Sequence, residues 1–181
     1  MKKTVLAFLI LSLGMFAATT ATAQISSDVT FNLPMPSGDF ADAYKPGFGA
    51  GADVFVGLPM VPIKLGGHVA YNRFSADDDF DDGSSTIIEI LPSARYTVGL
   101  PMSPVGFFGQ LGLGMYNWSN EVEAGGVTME DDGTDFGFAV GIGVTAKFLP
   151  TMGFIVMPMY HTIMTEDENT NYISVNLGLT F

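Results

Sequence analysis

The clearest pattern in the chain is an alternation of bulky apolar residues with small or polar ones, with a period of two. In the last segment, Ile173, Val175, Leu177, Leu179 and Phe181 alternate with Ser174, Asn176, Gly178 and Thr180. Residues 136–148 repeat the pattern, with Phe, Val, Ile and Ala at even numbers and mainly Gly, Ala and Thr at odd ones. This period is typical of β-strands with two unlike faces. Both segments are therefore predicted to be strands.

Six further segments fit the same description less sharply. They cover residues 25–33, 47–57, 63–74, 85–99, 104–118 and 152–164. A helical alternative fails because the longest apolar stretch, residues 136–164, is interrupted by Lys147, Pro150 and several glycines, which are poor in helix interiors. The prediction is an all-β fold of eight strands, each long enough for the roughly 9–11 tilted residues that cross a bilayer.

The connections between these segments alternate in length and chemistry. Residues 58–62, 100–103 and 149–151 are short, uncharged and begin with Leu-Pro. Residues 34–46, 75–84, 119–133 and 165–170 are mostly longer and polar, and the last three contain the acidic runs 77–82, 121–132 and 166–168. Short periplasmic turns and long extracellular loops are typical of transmembrane barrels. The chain is thus predicted to be an eight-stranded antiparallel up-and-down transmembrane β-barrel with both termini on the periplasmic side.

A soluble eight-stranded barrel is the main alternative, and the chemistry of the two faces distinguishes the two folds. A soluble barrel buries its bulky apolar face and exposes a polar one. Here the face opposite the bulky residues consists of Gly, Ala, Ser, Thr and a few charges, which suits a narrow lumen better than a solvent-exposed exterior. Aromatic residues near strand ends are candidates for interfacial girdles. These are Tyr71, Tyr96, Tyr116, Trp118, Phe148, Tyr160, Tyr172 and Phe181.

The N-terminal segment has the features of a secretory signal peptide. Lys2 and Lys3 precede an apolar run at residues 5–16, and the small residues Ala21-Thr22-Ala23 follow it. Cleavage after Ala23 would divide the chain into a signal peptide, residues 1–23, and one domain, residues 24–181. That domain would carry five basic and nineteen acidic residues, a net charge of −14, which disfavours binding to nucleic acid. The chain has no cysteine, which excludes disulfides and thiol chemistry.

The final segment, residues 171–181, resembles the last strand of the outer-membrane β-barrel families that include the OmpA-like and OmpX-like eight-stranded proteins. The resemblance implies a monomeric protein of the bacterial outer membrane in contact with membrane lipid and lipopolysaccharide. It also implies that the alternating last strand and Phe181 are recognised by the barrel assembly machinery. We expect the periplasmic OmpA C-terminal domain to be absent, because the resemblance ends at Phe181.

If the small-residue face points inward, it places a set of polar side chains in the lumen. They are Asp53, Lys64, His68, Glu89, Arg95, Gln110, Tyr116 and Lys147. Buried charge is costly unless it is paired, so we expect an ion-pair network of Glu89 and Asp53 with Arg95, Lys64 or Lys147. A permeation route lined by the same groups is the alternative, although a wide pore is excluded at this strand number.

No residue pattern in the chain indicates an enzyme, a cofactor or a metal site. His68 and His161 are the available histidine bases, and no Ser follows His161 in the His-x-Ser arrangement of outer-membrane lipid A deacylases. The glycines of residues 47–51 open a strand and do not join a strand to a helix, as a nucleotide-binding loop would. The acidic run 77–82 lacks the spacing of a Ca²⁺ loop. Two functions stay open: a structural or surface-interaction protein acting through acidic loops, and a channel for small solutes or hydrophobic compounds.

Overall fold

A computed structural model describes residues 24–57, 61–76, 82–99, 103–124, 127–165 and 169–181, without the side chains of residues 82 and 122–130. Residues 1–23, most of the acidic run 77–82 and the run 166–168 lie outside this description. No helix in the described ranges is long and apolar enough to cross a membrane.

Eight antiparallel strands form a single closed barrel. They are β1 (Ile25–Ser37), β2 (Tyr44–Gly57), β3 (Ile63–Ala76), β4 (Asp82–Gly99), β5 (Val105–Ala124), β6 (Val127–Leu149), β7 (Met152–Met164) and β8 (Thr170–Thr180), with a four-residue helix α1 (Phe40–Ala43) between β1 and β2. Each strand pairs with the next in sequence, and β1 pairs with β8. The predicted all-β, eight-stranded, up-and-down barrel is confirmed.

Three of the predicted loops are wrong in length, and one of them is the loop 75–84, since β3 reaches Ala76 and β4 begins at Asp82. The proposed loop 119–133 is mostly strand, because the β5–β6 ladder continues from Trp118 paired with Gly133 to Ala124 paired with Val127. The proposed loop 34–46 shrinks in the same way, since β1 reaches Ser37 and β2 begins at Tyr44. The prediction ended each strand where the apolar alternation stopped. Backbone pairing continues beyond that point, because a strand that has left the membrane no longer needs an apolar face.

The outer surface of the barrel is apolar and its interior is where the polar residues lie. On β6, Ile142 is 69% exposed and Phe136 is 54% exposed, whereas the alternating Ala139 is fully buried. β4 and β7 show the same outward exposure at Ile90 and Phe154. The face assignment made from the sequence therefore agrees with the structure. The interior is not purely small or polar, because bulky apolar residues are also buried there. On β7 these are Ile155, Met157, Met159 and Ile163, and β2 to β5 contribute Phe55, Phe74, Ile87, Leu91 and Phe108.

The aromatic residues predicted to form girdles divide into two groups. Tyr71, Tyr96, Phe148, Tyr160 and Phe181 are exposed on the outside. Tyr116 and Tyr172 are fully buried in the interior, and the half-buried Trp118 packs against the same apolar cluster. The girdle prediction is wrong for these three. Their position near strand ends suggested an interface, but the alternation along β5 and β8 turns them inward.

Close packing inside the barrel depends on glycine opposite large side chains. Phe108 on β5 is directly paired with Gly143 on β6. A Cβ atom added to Gly143 would lie 2.1 Å from Cζ of Phe108. The Phe108 ring therefore occupies the space that any larger residue at position 143 would need.

Replacement of Gly143 by alanine should lower the free energy of unfolding by about 1–3 kcal/mol, because the Phe108 ring must move within a packed interior. Gly109→Ala is the matched control, since its Cβ would meet nothing nearer than the Gly141 carbonyl oxygen at 3.9 Å. Urea unfolding in lipid vesicles, followed by the fluorescence of Trp118, measures both variants. Equal stability of the two variants would contradict this account of the packing.

Candidate functional site

The polar interior begins with three side chains at matched positions on neighbouring strands. Asp28 on β1 pairs with Asp53 on β2, and Asp53 pairs with His68 on β3. Directly paired residues have Cβ atoms about 4.5–5.5 Å apart on one face of a sheet. His68 Nδ1 accordingly lies 3.0 Å from Asp53 Oδ1, and all three side chains are almost completely buried.

Arg95 connects this group to the opposite wall. It is paired with Gln110, and its Nε and Nη2 atoms donate to Gln110 Oε1 at 2.9 and 2.7 Å. Its Nη1 atom donates to Asp28 Oδ2 at 2.6 Å, and Gln110 Nε2 donates to Asp53 Oδ1 at 2.9 Å. The guanidinium carbon lies 4.2 Å from the centre of the Phe55 ring and 4.3 Å from that of Phe108. Hydrogen bonds and cation–π contacts together hold the Arg95 side chain across the lumen.

Glu89 is the centre of a second group, further toward the long-loop end. Tyr172 on β8 donates its hydroxyl to Glu89 Oε1 at 2.6 Å, and the Asn72 amide donates to the same oxygen. Glu89 Oε2 lies 3.2 Å from His161 Nδ1 and 3.6 Å from His68 Nε2. Oε2 receives no well-aligned hydrogen bond from the described residues, although both imidazole nitrogens lie within ion-pair distance of it.

Ser174, His161 and Glu89 lie in the order found in a Ser-His-acid triad. Ser174 Oγ is 2.9 Å from His161 Nε2, and Glu89 faces the other ring nitrogen. The Tyr172 ring stacks on His161 at 4.3 Å with an angle of 4° between the ring planes. None of the four residues is more than 1% exposed. None of them lines the cavities found at the short-turn end and the long-loop end of the barrel. We therefore interpret this arrangement as structural hydrogen bonding.

The fully buried residues described include both acidic and basic side chains. Asp28, Asp53 and Glu89 supply three carboxyl groups, and Arg95 supplies one guanidinium. Two imidazoles, His68 and His161, complete the set, and each faces Glu89 through one ring nitrogen.

An aromatic layer covers the interior at the long-loop end. Phe40 of helix α1 packs on Tyr44 at 4.9 Å and on Phe74 at 5.1 Å, and Phe74 contacts Tyr172 at 5.6 Å. Burial raises the pKa of the Tyr44 hydroxyl, which stays neutral in this layer. Beside it, a cavity of about 200 Å³ is lined by Phe40, Trp118 and Ile163 among others.

The structure brings together most of the residues predicted for the lumen. Asp53, His68, Glu89, Arg95, Gln110 and Tyr116 are all buried inside. Lys64 and Lys147 are not part of this group: Lys64 is half-buried with Nζ donating to Ser26 Oγ at 3.1 Å, and Lys147 is exposed at the short-turn end. The predicted ion pair of Asp53 with Arg95 is present at 3.8 Å, but the predicted pairing of Glu89 with Arg95 or a lysine is wrong. Glu89 and Arg95 are six residues apart on β4, about 20 Å along the strand, and Glu89 faces histidines instead.

Several interior residues were missed by the sequence analysis. They are Asp28, Asn32, Asn72, His161 and Tyr172, whereas Ser174 and Asn176 lie inward as the alternation of the last segment predicted. The alternation predicts some of these positions, because residues an even number of positions apart share one face of a strand. Asp28 and Asn32 therefore share the inward face of Thr30 on β1, and Asn72 shares that of His68 on β3. The sequence identifies His161 only as an available base. It does not show that β4 faces β7 and β8 across the lumen, so the contact of His161 with Glu89 was not predicted.

Comparison with protein families decides what kind of barrel this is. The family model described as outer membrane protein beta-barrel domain matches residues 4–181. The chain belongs to this family. The resemblance seen in its last strand is confirmed, and membership places the protein among those of the bacterial outer membrane. Comparison with curated protein sequences gave no match.

Solved outer-membrane barrels have the same fold. Neisserial surface protein A, NspA, is similar with a TM-score of 0.65 and 16% identity, covering 88% of this chain and 98% of that one. Ail, the attachment invasion locus protein of Yersinia pestis, is similar with a TM-score of 0.55 and 13% identity, covering 89% of this chain and all of that one. A further structure of Ail, in complex with the heparin analogue sucrose octasulfate, gives 0.53 and 14%, with coverage of 89% and 100%. At these identities the comparison establishes the fold alone.

Loss of the Arg95 charge should destabilise this outer-membrane barrel strongly. Arg95→Met leaves Asp28 and Asp53 buried without their cation, at a cost of about 3–5 kcal/mol in unfolding free energy. Arg73→Met is the control, because Arg73 is exposed on the outside and makes one long hydrogen bond, 3.4 Å to Ser84 Oγ. Urea unfolding in vesicles compares the two. Addition of Asp28→Asn to Arg95→Met should recover part of the loss, and additive effects of the two substitutions would contradict the coupling.

Proposed function

We propose that the protein is a surface-interaction barrel of the outer membrane that acts through an acidic extension of strands β5 and β6. The β-barrel anchors the chain, and the extension presents carboxylates outside the cell. The observation that supports this most directly is the length of the β5–β6 ladder beyond the apolar band.

The apolar outer face of β5 ends at Met115, and the outward residues that follow it are Asn117, Ser119 and Glu121. The ladder nevertheless continues to Ala124. Nine further residues correspond to about 30 Å of strand. Such a hairpin projects from the membrane at the end where the long connections lie.

Cross-strand contacts hold the base of this hairpin. Trp118 Nε1 donates to Asp135 Oδ2 at 2.6 Å, and Asn117 Nδ2 donates to Thr134 Oγ1 at 2.7 Å. Both bonds join β5 to β6 just outside the apolar band. The extension is therefore a paired ribbon continuous with the barrel wall, and it offers a defined surface to a partner.

The charge of the extension favours a cationic partner. Residues 119–133 contain five Asp and Glu residues and no Lys or Arg, and Glu121, Asp131 and Asp132 are exposed. The acidic sequences 77–82 and 166–168 belong to connections at the same end. Basic protein surfaces suit such a region, as do divalent cations that bridge it to lipopolysaccharide phosphates. A sulfated polyanion such as the one bound to Ail is not an expected ligand of these carboxylates.

A channel is the weaker candidate. The Arg95 and Glu89 groups cross the lumen at two levels, and apolar side chains of β7 fill space between the walls. The cavities described at the two ends have no lining residue in common. In the part of the chain that the structure describes, nothing favours permeation over a filled interior.

Export and assembly complete the proposal. Cleavage after Ala23 would leave residues 24–181 as the mature barrel, and the last strand with Phe181 would be read by the barrel assembly machinery. We propose a monomer, because pairing of β1 with β8 leaves no sheet edge open within the barrel. Catalysis is not part of the proposed function, because Ser174, His161 and Glu89 are buried and line neither of the cavities described at the two ends.

Neutralising the extension should weaken binding to a cationic surface. Asp131→Asn/Asp132→Asn in nanodiscs should bind immobilised polylysine about threefold to tenfold more weakly than the parent protein at low salt. Asp39→Asn/Asp42→Asn, which removes two exposed charges near α1, is the matched control and should change binding less. Biolayer interferometry gives the affinities, with a heparin surface as the counter-probe. Preferential binding to heparin, or equal effects of both double variants, would overturn the proposed role of the extension.

A further inference from the structure

The largest cavity described lies at the short-turn end of the barrel, opposite to the acidic extension. It measures about 450 Å³, within the size range of small-molecule sites. Residues near the start of β1 and β3 and near the ends of β6 and β8 form its walls. We call it the short-turn cavity.

The charged side chains that line this cavity are opposite in sign to the net charge of the protein. Lys64 and Lys147 line it, and no Asp or Glu is among the described residues that do so. Beyond residue 3 the sequence has only five basic residues, so two of them face one cavity in a chain whose net charge is −12. Two like charges around one space repel each other, and an anion between them removes that repulsion.

Neither ammonium group has its charge satisfied by a described carboxylate. No Asp or Glu oxygen in the described ranges lies within the 4.0 Å of an ion pair with Lys64 or Lys147. Asp28, the next inward residue after Ser26 on β1, already accepts from Arg95 at 2.6 Å. Both lysines thus keep donors for another group.

Hydroxyl groups supply further donors beside the two lysines. Ser26 Oγ accepts from Lys64 Nζ at 3.1 Å, which leaves the Ser26 proton able to donate to an anion in the cavity. Thr180, which also carries a hydroxyl group, lines the cavity as well. Ammonium and hydroxyl donors around a space of this size are suited to a tetrahedral oxyanion.

We propose that the short-turn cavity binds a phosphate group through Lys64, Lys147 and Ser26. A phosphate monoester carries about −1.5 to −2 charges at neutral pH, and a phosphodiester headgroup carries a single negative charge, so both are attracted to two ammonium groups. The group can belong to free phosphate or a small phosphate ester, or to the headgroup of a phospholipid from the adjacent membrane leaflet. All of these ligands would be bound through their phosphate oxygens, and the experiment below distinguishes a soluble phosphate from a lipid headgroup.

The test uses the ¹⁵N-labelled protein in dodecylmaltoside micelles, which contain no phosphate. Inorganic phosphate should shift the amide signals of Ser26, Lys64 and Lys147 in a saturable way, beyond the shifts from sodium chloride at equal ionic strength. Lys64→Gln/Lys147→Gln should weaken this binding by about tenfold or more. Lys45→Gln, which removes one lysine at the opposite end of the barrel, should leave it within about twofold.

The source of the phosphate group is found by adding phosphatidylglycerol to the micelles at the same phosphorus concentration. Larger shifts with the lipid assign the cavity to a headgroup, and larger shifts with inorganic phosphate assign it to a soluble ligand. Heat-modifiable gel migration verifies that each variant is folded, and the single substitutions Lys64→Gln and Lys147→Gln replace the double variant if it is not. Shifts no larger than those with chloride, or equal binding by the lysine variants and Lys45→Gln, would overturn the proposal.

Discussion

Hydrogen bonding of the backbone inside the bilayer is the constraint on which the structure depends. Unpaired N–H and C=O groups are too costly in hydrocarbon, so a chain without spanning helices must close its sheet. Here pairing of β1 with β8 completes the ring. With eight strands the interior is only wide enough for side chains, and polar side chains are costly to bury there unless they find partners on other strands.

That requirement explains how the interior is built. Arg95 and Glu89 are each bonded to residues far away in sequence, Asp28 and Tyr172, so their hydrogen bonds join opposite walls. The two levels are linked through His68, which lies between Asp53 and Glu89. The barrel is consequently filled by hydrogen-bonded polar side chains together with an apolar cluster, and its two ends differ in charge. One end has an acidic ribbon, and the other has a cavity lined by lysines.

The sequence predicted the fold well because the membrane imposes the period-two alternation along most strands. It also identified Asp53, His68, Glu89, Arg95 and Gln110 as inward residues, because each lies on the small-residue face of its strand. The partners were not predictable, because contacts such as Glu89 with His161 depend on strand stagger and on the width of the lumen. The length of β5 and β6 was missed for a different reason: outside the bilayer a strand needs only its hydrogen-bonding partner, and the apolar signal disappears.

Single-channel recording tests most directly whether the interior is filled as described. The protein reconstituted in planar bilayers in potassium chloride should give no conductance steps over a range of voltages, while a general porin in the same bilayers gives them. Insertion is verified by protease protection of the barrel in the same lipid. Reproducible steps whose size rises with salt concentration would show a continuous aqueous path through the lumen and would contradict the account.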